Sequence, residues 1–368
     1  MTSTLHLQPS TSTSFQGKKV LVTGHTGFKG GWVSLWLQSL GAHVFGVALA
    51  PAGSPNLFEM AGIGEAMTSR VLDIRDLEGL RAHLKEIQPE CVLHLAAQPL
   101  VRLSYADPVG TFSTNVMGTV HLLEAVRSAP SVRSVVIVTT DKCYENREWL
   151  HPYRETDRLG GRDPYSASKA GAEIVASSYR ESFFKESGVR IATARAGNVI
   201  GGGDWAGDRL IPDAIRAFTS GQPLVLRNPG ATRPWQHVLE PLAGYLLLAS
   251  RMLEAGEAGL DCAWNFGPDS EGNSTVGHVA GRVAELWGGG TVKHLENHSE
   301  PHEAGLLQLD SSRAKSLLGW KPRWSLEEAL RHTIAWYKLS QAGGDVSALM
   351  REQISEYLKP LLEKKNHG

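Results

Sequence analysis

From Lys18 onward the chain alternates short, almost wholly apolar runs with longer stretches of helical spacing. The runs are Lys19–Thr23, Val44–Val47, Cys91–Leu95 and Val135–Thr139, with Val189–Ala194 following a long helical stretch. Strands that are apolar at nearly every position are buried on both faces. Between the runs, Gly31–Leu40, Leu77–Ile87, Thr111–Val126 and Ser166–Phe184 carry apolar residues at helical spacing. Buried strands joined through amphipathic helices make an α/β fold with a doubly wound parallel sheet.

After about residue 196 the rhythm breaks into glycine- and proline-rich turns, among them Gly201-Gly202-Gly203, Gly221-Gln222-Pro223 and Pro229-Gly230. A smaller, mainly helical lobe interleaved with the end of the sheet is expected there. The expected division is a flexible tail at 1–16, a dinucleotide-binding domain at 17–196, a substrate lobe at 197–345 and a C-terminal helix or tail at 346–368. Lys and Arg number 37 against 38 Asp and Glu, so no basic excess exists to grip a nucleic-acid backbone. No apolar run approaches the roughly 20 residues of a membrane helix. The first sixteen residues contain no Arg or Lys, which argues against a secretory or transit signal. Cys91, Cys143 and Cys262 show no CxxC spacing, and a reducing, cytoplasmic setting fits them best.

Gly24-His25-Thr26-Gly27-Phe28-Lys29-Gly30 follows the first strand and opens the first helix. Bare glycines there permit a tight turn and let backbone N–H groups approach a pyrophosphate. Gly24, Thr26, Gly27, Phe28, Lys29 and Gly30 are therefore candidate cofactor contacts. The end of the second strand, Val47–Gly53, holds neither the acid that meets a ribose nor an arginine for a 2′-phosphate. Residue chemistry alone thus leaves NAD and NADP undecided, and Lys29 reads equally as a phosphate partner or a solvated helix-start lysine. After the third strand, Asp73 and Ile74 stand where an aspartate could hold the adenine edge.

Tyr165-Ser166-Ala167-Ser168-Lys169 begins a helix after Pro164, and the four-residue step puts the phenol and the ammonium on one face. A nearby ammonium is expected to pull the phenol toward its ionised form, making Tyr165 a base for a hydroxyl proton. Thr139-Thr140-Asp141 ends another strand upstream. His294, His298 and His302 are spaced four apart, but Asn297, Ser299 and Pro301 argue for a loop, and no metal is expected.

The loop GHTGFKG, the stretch HLAAQPLVR (His94–Arg102), Asn115, YSASK and RAGNVIGGGDW (Arg195–Trp205) together resemble the extended short-chain dehydrogenase/reductase family of nucleotide-sugar enzymes, a Rossmann fold, over about residues 17–340. Within it, Thr140-Asp141-Lys142 is similar to the 4,6-dehydratase branch that acts on CDP-glucose, and Pro55–Glu59 agrees. The resemblance implies a tightly held NAD that is regenerated each turnover. It brings Leu95, Ala96, Ala97, Thr139 and Arg195, with Tyr165 and Lys169, to that cofactor. Thr140, Tyr165 and Lys169 would run the oxidation at C4, and Asp141 and Lys142 the elimination across C5 and C6. Lys142 is either the C5 base or a stabiliser of the enolate. Gln98, Arg102, Asn198, Arg209, Leu210, Arg227, Arg233, Trp235 and His302 are implied at the nucleotide sugar. The long segments Thr111–Val126 and Ser166–Phe184 imply a homodimer or a dimer of dimers. An epimerase, a dehydratase for another nucleotide, and a non-catalytic dinucleotide sensor are the other readings.

Overall fold

The computed structural model describes residues 14–254, 259–294 and 305–363. Twelve strands are found among them: β1 Lys19–Thr23, β2 His43–Ala48, β3 Thr68–Val71, β4 Cys91–His94, β5 Ser134–Val138, β6 Arg190–Ala196, β7 Asn198–Ile200, β8 Leu224–Leu226, β9 Thr232–His237, β10 Ala263–Phe266, β11 Asn273–Thr275 and β12 Val292–His294. Seven form one sheet in the order β10-β6-β5-β4-β1-β2-β3, with every neighbouring pair parallel. The second lobe adds a three-stranded sheet, β11-β9-β7, and the pair β12-β8.

The pleat explains why the strands are apolar throughout. Val20 and Val22 point to one face, where Trp32, Trp36 and much of the second lobe pack. Leu21, between them, points to the other, against Leu80, Leu84, Leu122 and Val126. The apolar side chains of the second lobe, including Leu239, Trp264, Trp336 and Tyr337, belong to the same core as the first face of the sheet. Phe15, expected in a flexible tail, is fully buried in that core; residues 1–13 lie outside the described residues.

Helix boundaries follow their caps. Asp76 accepts from the Gly79 N–H, and helix Leu77–Ile87 begins where its spacing predicts. Asp163 caps Pro164–Tyr179, with proline in the first turn. The segment expected at Thr111–Val126 starts earlier, at Pro108, because Asp107 caps it. It widens into a π-turn over Ser113–Met117 before continuing to Arg127. Among the described residues no helix is long and apolar enough to cross a membrane.

The order reverses between β1 and β4. Their carboxyl ends stay level, with Thr23 paired to both Val47 and His94. The loops that leave them diverge and open a crevice there, the usual place for a ligand in an open parallel sheet.

Candidate active site

The glycine loop occupies that crevice. Gly24 has φ +77°, and a Cβ on it would lie 2.7 Å from the Ala96 nitrogen. A Cβ on Gly30 would meet the Gly24 carbonyl oxygen at 2.0 Å. Only glycine lets the loop close so tightly onto both the next helix and the Leu95–Ala97 segment. Gly27 is the N-cap of helix Phe28–Ser39, and the Thr26 hydroxyl donates to the Leu49 carbonyl. At the far side of the crevice Ile74 is buried, and Asp73 is held by the backbone N–H and guanidinium of Arg75.

Beside the crevice a cavity of about 340 Å³ opens between the lobes. It brings together Lys29, Thr139, Thr140, Asp141, Lys142 and Tyr165 from the sheet side. Arg102 and the second-lobe residues Asn198, Arg209, Leu210, Arg227, Arg233 and Trp235 line it as well. Thr140 caps a single 3-10 turn, Asp141–Cys143, by accepting from the Lys142 N–H, which presents Asp141 and Lys142 together. The Thr140 hydroxyl donates to Asp141 Oδ1 at 3.0 Å, while Asp141 Oδ2 is buried without a hydrogen-bond partner.

Three expected residues turn elsewhere. Gln98 is bound inward: its amide donates to the Leu100 carbonyl and Thr111, and it accepts from the Leu100 N–H, so it shapes the loop and does not line the cavity. Arg195, expected at the cofactor, is buried against the Glu173 carboxylate and the Tyr144 hydroxyl, because β6 directs its side chain under the Asp141–Cys143 turn. Lys169 is buried and donates from Nζ to the Val138 carbonyl at 3.1 Å. His302 lies outside the described residues.

The profile of a family described as GDP-mannose 4,6 dehydratase matches residues 21–333. The chain belongs to this 4,6-dehydratase family. A CDP-glucose 4,6-dehydratase of Salmonella typhimurium is 51% identical over 94% of this chain and 97% of its own length. Among solved structures, the dTDP-glucose 4,6-dehydratase of Streptomyces venezuelae with NAD and TYD bound aligns at TM-score 0.76 and 25% identity, covering 89% of this chain and 99% of that one. The UDP-glucose 4-epimerase of Thermus thermophilus in complex with NAD aligns at TM-score 0.75 and 25% identity, over 87% and 99%.

The 4,6-dehydratase cavity is electrostatically uneven. Burial holds the Asp141 carboxyl above the usual range, although Lys142 and the Thr140 hydroxyl pull the other way. Burial pushes the Tyr165 phenol up to about 12, which reverses the expectation of a lowered value. Desolvation of the phenolate outweighs the opposing pull of the Thr140 hydroxyl and Arg209, and the Lys169 ammonium is directed at a carbonyl instead. Burial lowers Lys169 to about 8, opposed by the Glu173 carboxylate. Lys29 falls to about 7 through burial and the neighbouring charges of Arg209 and Lys169.

Several cavity residues were not singled out from the sequence, and Asp208 and Tyr105 carry no signal in its spacing. Asp204 accepts from Arg209 at 2.8 Å, and its carbonyl accepts from the Tyr337 hydroxyl. Asp208, at φ +58°, lies 3.5 Å from Arg102 and 3.4 Å from Arg227. Tyr105 also lines the cavity. Only Asp204 was within reach, as the acid of the GGGDW stretch.

Proposed function

We propose that this chain is an NAD-dependent lyase that converts CDP-glucose to CDP-4-dehydro-6-deoxyglucose and water. The observation that carries the reading is Asp141. It is a buried carboxyl, raised in pKa, with one oxygen unpartnered, on a turn that shares a cavity with Tyr165. Epimerisation at C4 needs no acid of that kind; expulsion of the C6 hydroxyl as water does. The 51% identity to a CDP-glucose 4,6-dehydratase supports the choice of nucleotide.

The residues present fit a dinucleotide, since the cradle at Gly24 and Gly30 has no room for a Cβ. Gly24, Thr26, Gly27, Phe28, Lys29 and Gly30 would hold its pyrophosphate end. Asp73 and Ile74 would meet the adenine, and Leu95–Ala97 and Thr139 would flank the rest. Bound there, NAD would supply the hydride acceptor for C4 and the hydride donor for C6, with no net oxidation.

In this reading Tyr165 takes the C4 hydroxyl proton once the charges of Lys169 and a bound nicotinamide offset the burial that raises its phenol, with Thr140 beside it in the cavity. The resulting ketone makes the C5 hydrogen acidic, because its carbanion is an enolate. Lys142 either removes that proton or holds the enolate by charge. Asp141, its carboxyl raised by burial, is the acid that gives a proton to the C6 oxygen, which leaves as water. Arg102, Arg209, Arg227 and Arg233 offer forked donors to the diphosphate, and Asn198, Leu210 and Trp235 complete the wall. His302 is assigned to the mouth of the site by resemblance.

We further propose a homodimer or dimer of dimers, assembled through the two long helical segments, whose outer faces expose Val109, Met117, Ile174 and Phe183. A cytoplasmic setting is proposed from the three free cysteines. The deciding experiment is mass analysis after incubation with a panel of nucleotide sugars. Loss of one water from CDP-glucose alone is expected. A C4 epimer, or dehydration of another nucleotide sugar in preference, would overturn the assignment. NAD is expected to restore cofactor-stripped protein more effectively than NADP.

A further inference from the structure

Directly beneath the catalytic turn, two buried groups make a single node. Glu173 stands one helical turn past Lys169 on helix Pro164–Tyr179. Its Oε1 accepts from Thr139 Oγ1 at 2.5 Å and from Arg195 Nε at 2.9 Å. Its Oε2 accepts from Thr193 Oγ1 at 2.6 Å and from Arg195 Nη2 at 2.8 Å. The remaining Arg195 nitrogen, Nη1, donates to the Tyr144 hydroxyl at 2.7 Å and to the Glu155 carbonyl at 3.2 Å. Tyr144 in turn donates to Asn265 Oδ1 on β10. Thr139 precedes Thr140-Asp141-Lys142 and Tyr144 closely follows it. The ion pair therefore grips the chain on both sides of the turn and ties it to the helix of Tyr165 and Lys169.

We propose that the buried Glu173–Arg195 pair is a positioning element of the reaction, aligning the Asp141–Lys142 turn with Tyr165 and Lys169 so that elimination follows oxidation on one bound sugar. The proposal rests on the dehydratase reading above. A buried ion pair is a weak source of net stability, because desolvation offsets its attraction. What this one supplies is direction: both carboxylate oxygens and all three guanidinium nitrogens are fixed by named partners.

Charge gives the pair a second effect. The groups that face Lys169 are Glu173 on its own helix, Cys143 on the turn, Lys29 on the first helix and His94 on β4. Glu173 is held ionised by Arg195 despite burial, and it is the carboxylate that keeps Lys169 charged.

The test uses Tyr144→Phe, which keeps the ring stacked on Tyr153 and loses only the hydroxyl, and the double variant Glu173→Gln/Arg195→Met, which removes both charges at similar volume. Each is mixed with CDP-glucose beside the unaltered protein, following NADH absorbance, released keto sugar and solvent deuterium at C5. Dehydration should fall about ten- to a hundred-fold in both, as a displaced catalytic group costs. NADH should accumulate relative to product, because oxidation outlives elimination. In the double variant alone, the alkaline limb of C4 oxidation should move to lower pH by about one unit, since Lys169 has lost its carboxylate. Lower melting temperatures with an unchanged NADH-to-product ratio and an unmoved limb would reduce the pair to a structural role and overturn the proposal. If the double variant does not fold, the ratio in Tyr144→Phe decides. Failure of the unaltered protein to release water from CDP-glucose would reject the dehydratase reading instead.

Discussion

On the sheet side of the cavity, Thr140, Asp141 and Tyr165 are each at most 9% exposed, as is Lys169, which turns to the Val138 carbonyl, and the turn, the helix and the strands beneath them are hydrogen-bonded to one another. On the opposite side the Arg102, Arg227 and Asp208 side chains are 31–44% exposed, and their ion pairs are as long as 3.4–3.5 Å. Chemistry sits on the dry, fixed wall, where charges are strong and pKa values are displaced. The proposed binding wall is wet at Arg102 and Arg227, where an exposed ion pair is worth about 0–1 kcal/mol and a diphosphate can replace it cheaply, and dry at Arg233 and Trp235, which are 4% and 5% exposed. Substitutions on the first wall should therefore change turnover, and those on the second should change affinity.

The severest test of that contrast is Tyr165→Phe. The fold and nucleotide binding should survive while turnover drops on the order of 10²-fold or more, as for a lost general base. Near-normal turnover would remove Tyr165 from the mechanism. Next comes Lys142→Met, which should stall after C4 oxidation. NADH absorbance then accumulates and recovered sugar carries little solvent deuterium at C5, with product formation lowered about 10²-fold. Absence of any NADH would move Lys142 into the oxidation, and normal dehydration would leave the work to Asp141.

A pH series separates the walls without mutation. The Lys169 value, about 8, lies below the ordinary 10.5, so its charge is complete only below pH 8 and is lost as pH rises through that value. Turnover should fall by about ten-fold per unit above pH 8, while KM stays flat because the arginines remain charged. A KM that rises in parallel with the fall in turnover would break the division. The smallest effect belongs to Arg227→Gln, which should raise KM about three- to ten-fold and leave kcat unchanged.

Much of this was legible in the sequence, for identifiable reasons. β1 and helix Leu77–Ile87 lie where their patterns put them, because a buried strand and a capped amphipathic helix are specified locally. The GHTGFKG and YSASK stretches lead to the crevice and the cavity, since their glycines and their four-residue step have a direct geometric meaning. Hidden from the sequence were the facts that depend on distant partners. Ala263–Phe266 is too short for a periodic signal and becomes the seventh strand only by pairing with β6. Arg195, implied at the cofactor by resemblance, is enclosed by Glu173 and Tyr144, partners that no local spacing reports. The direction of the Tyr165 shift depends on burial, which a four-residue spacing does not report.

The late arrival of β10 bears on how the molecule is made. A ribosome delivers β6 well before Ala263–Phe266, with the cavity-lining strands β7 to β9 between them. Until Phe266 emerges, β6 presents an open parallel edge, the kind that pairs with whatever strand it meets. The nascent chain therefore cannot close its sheet on the N-terminal half alone. Truncation after residue 196 should yield aggregating protein, not a free-standing dinucleotide domain. Synthesis itself couples the two walls, so neither is completed without the other.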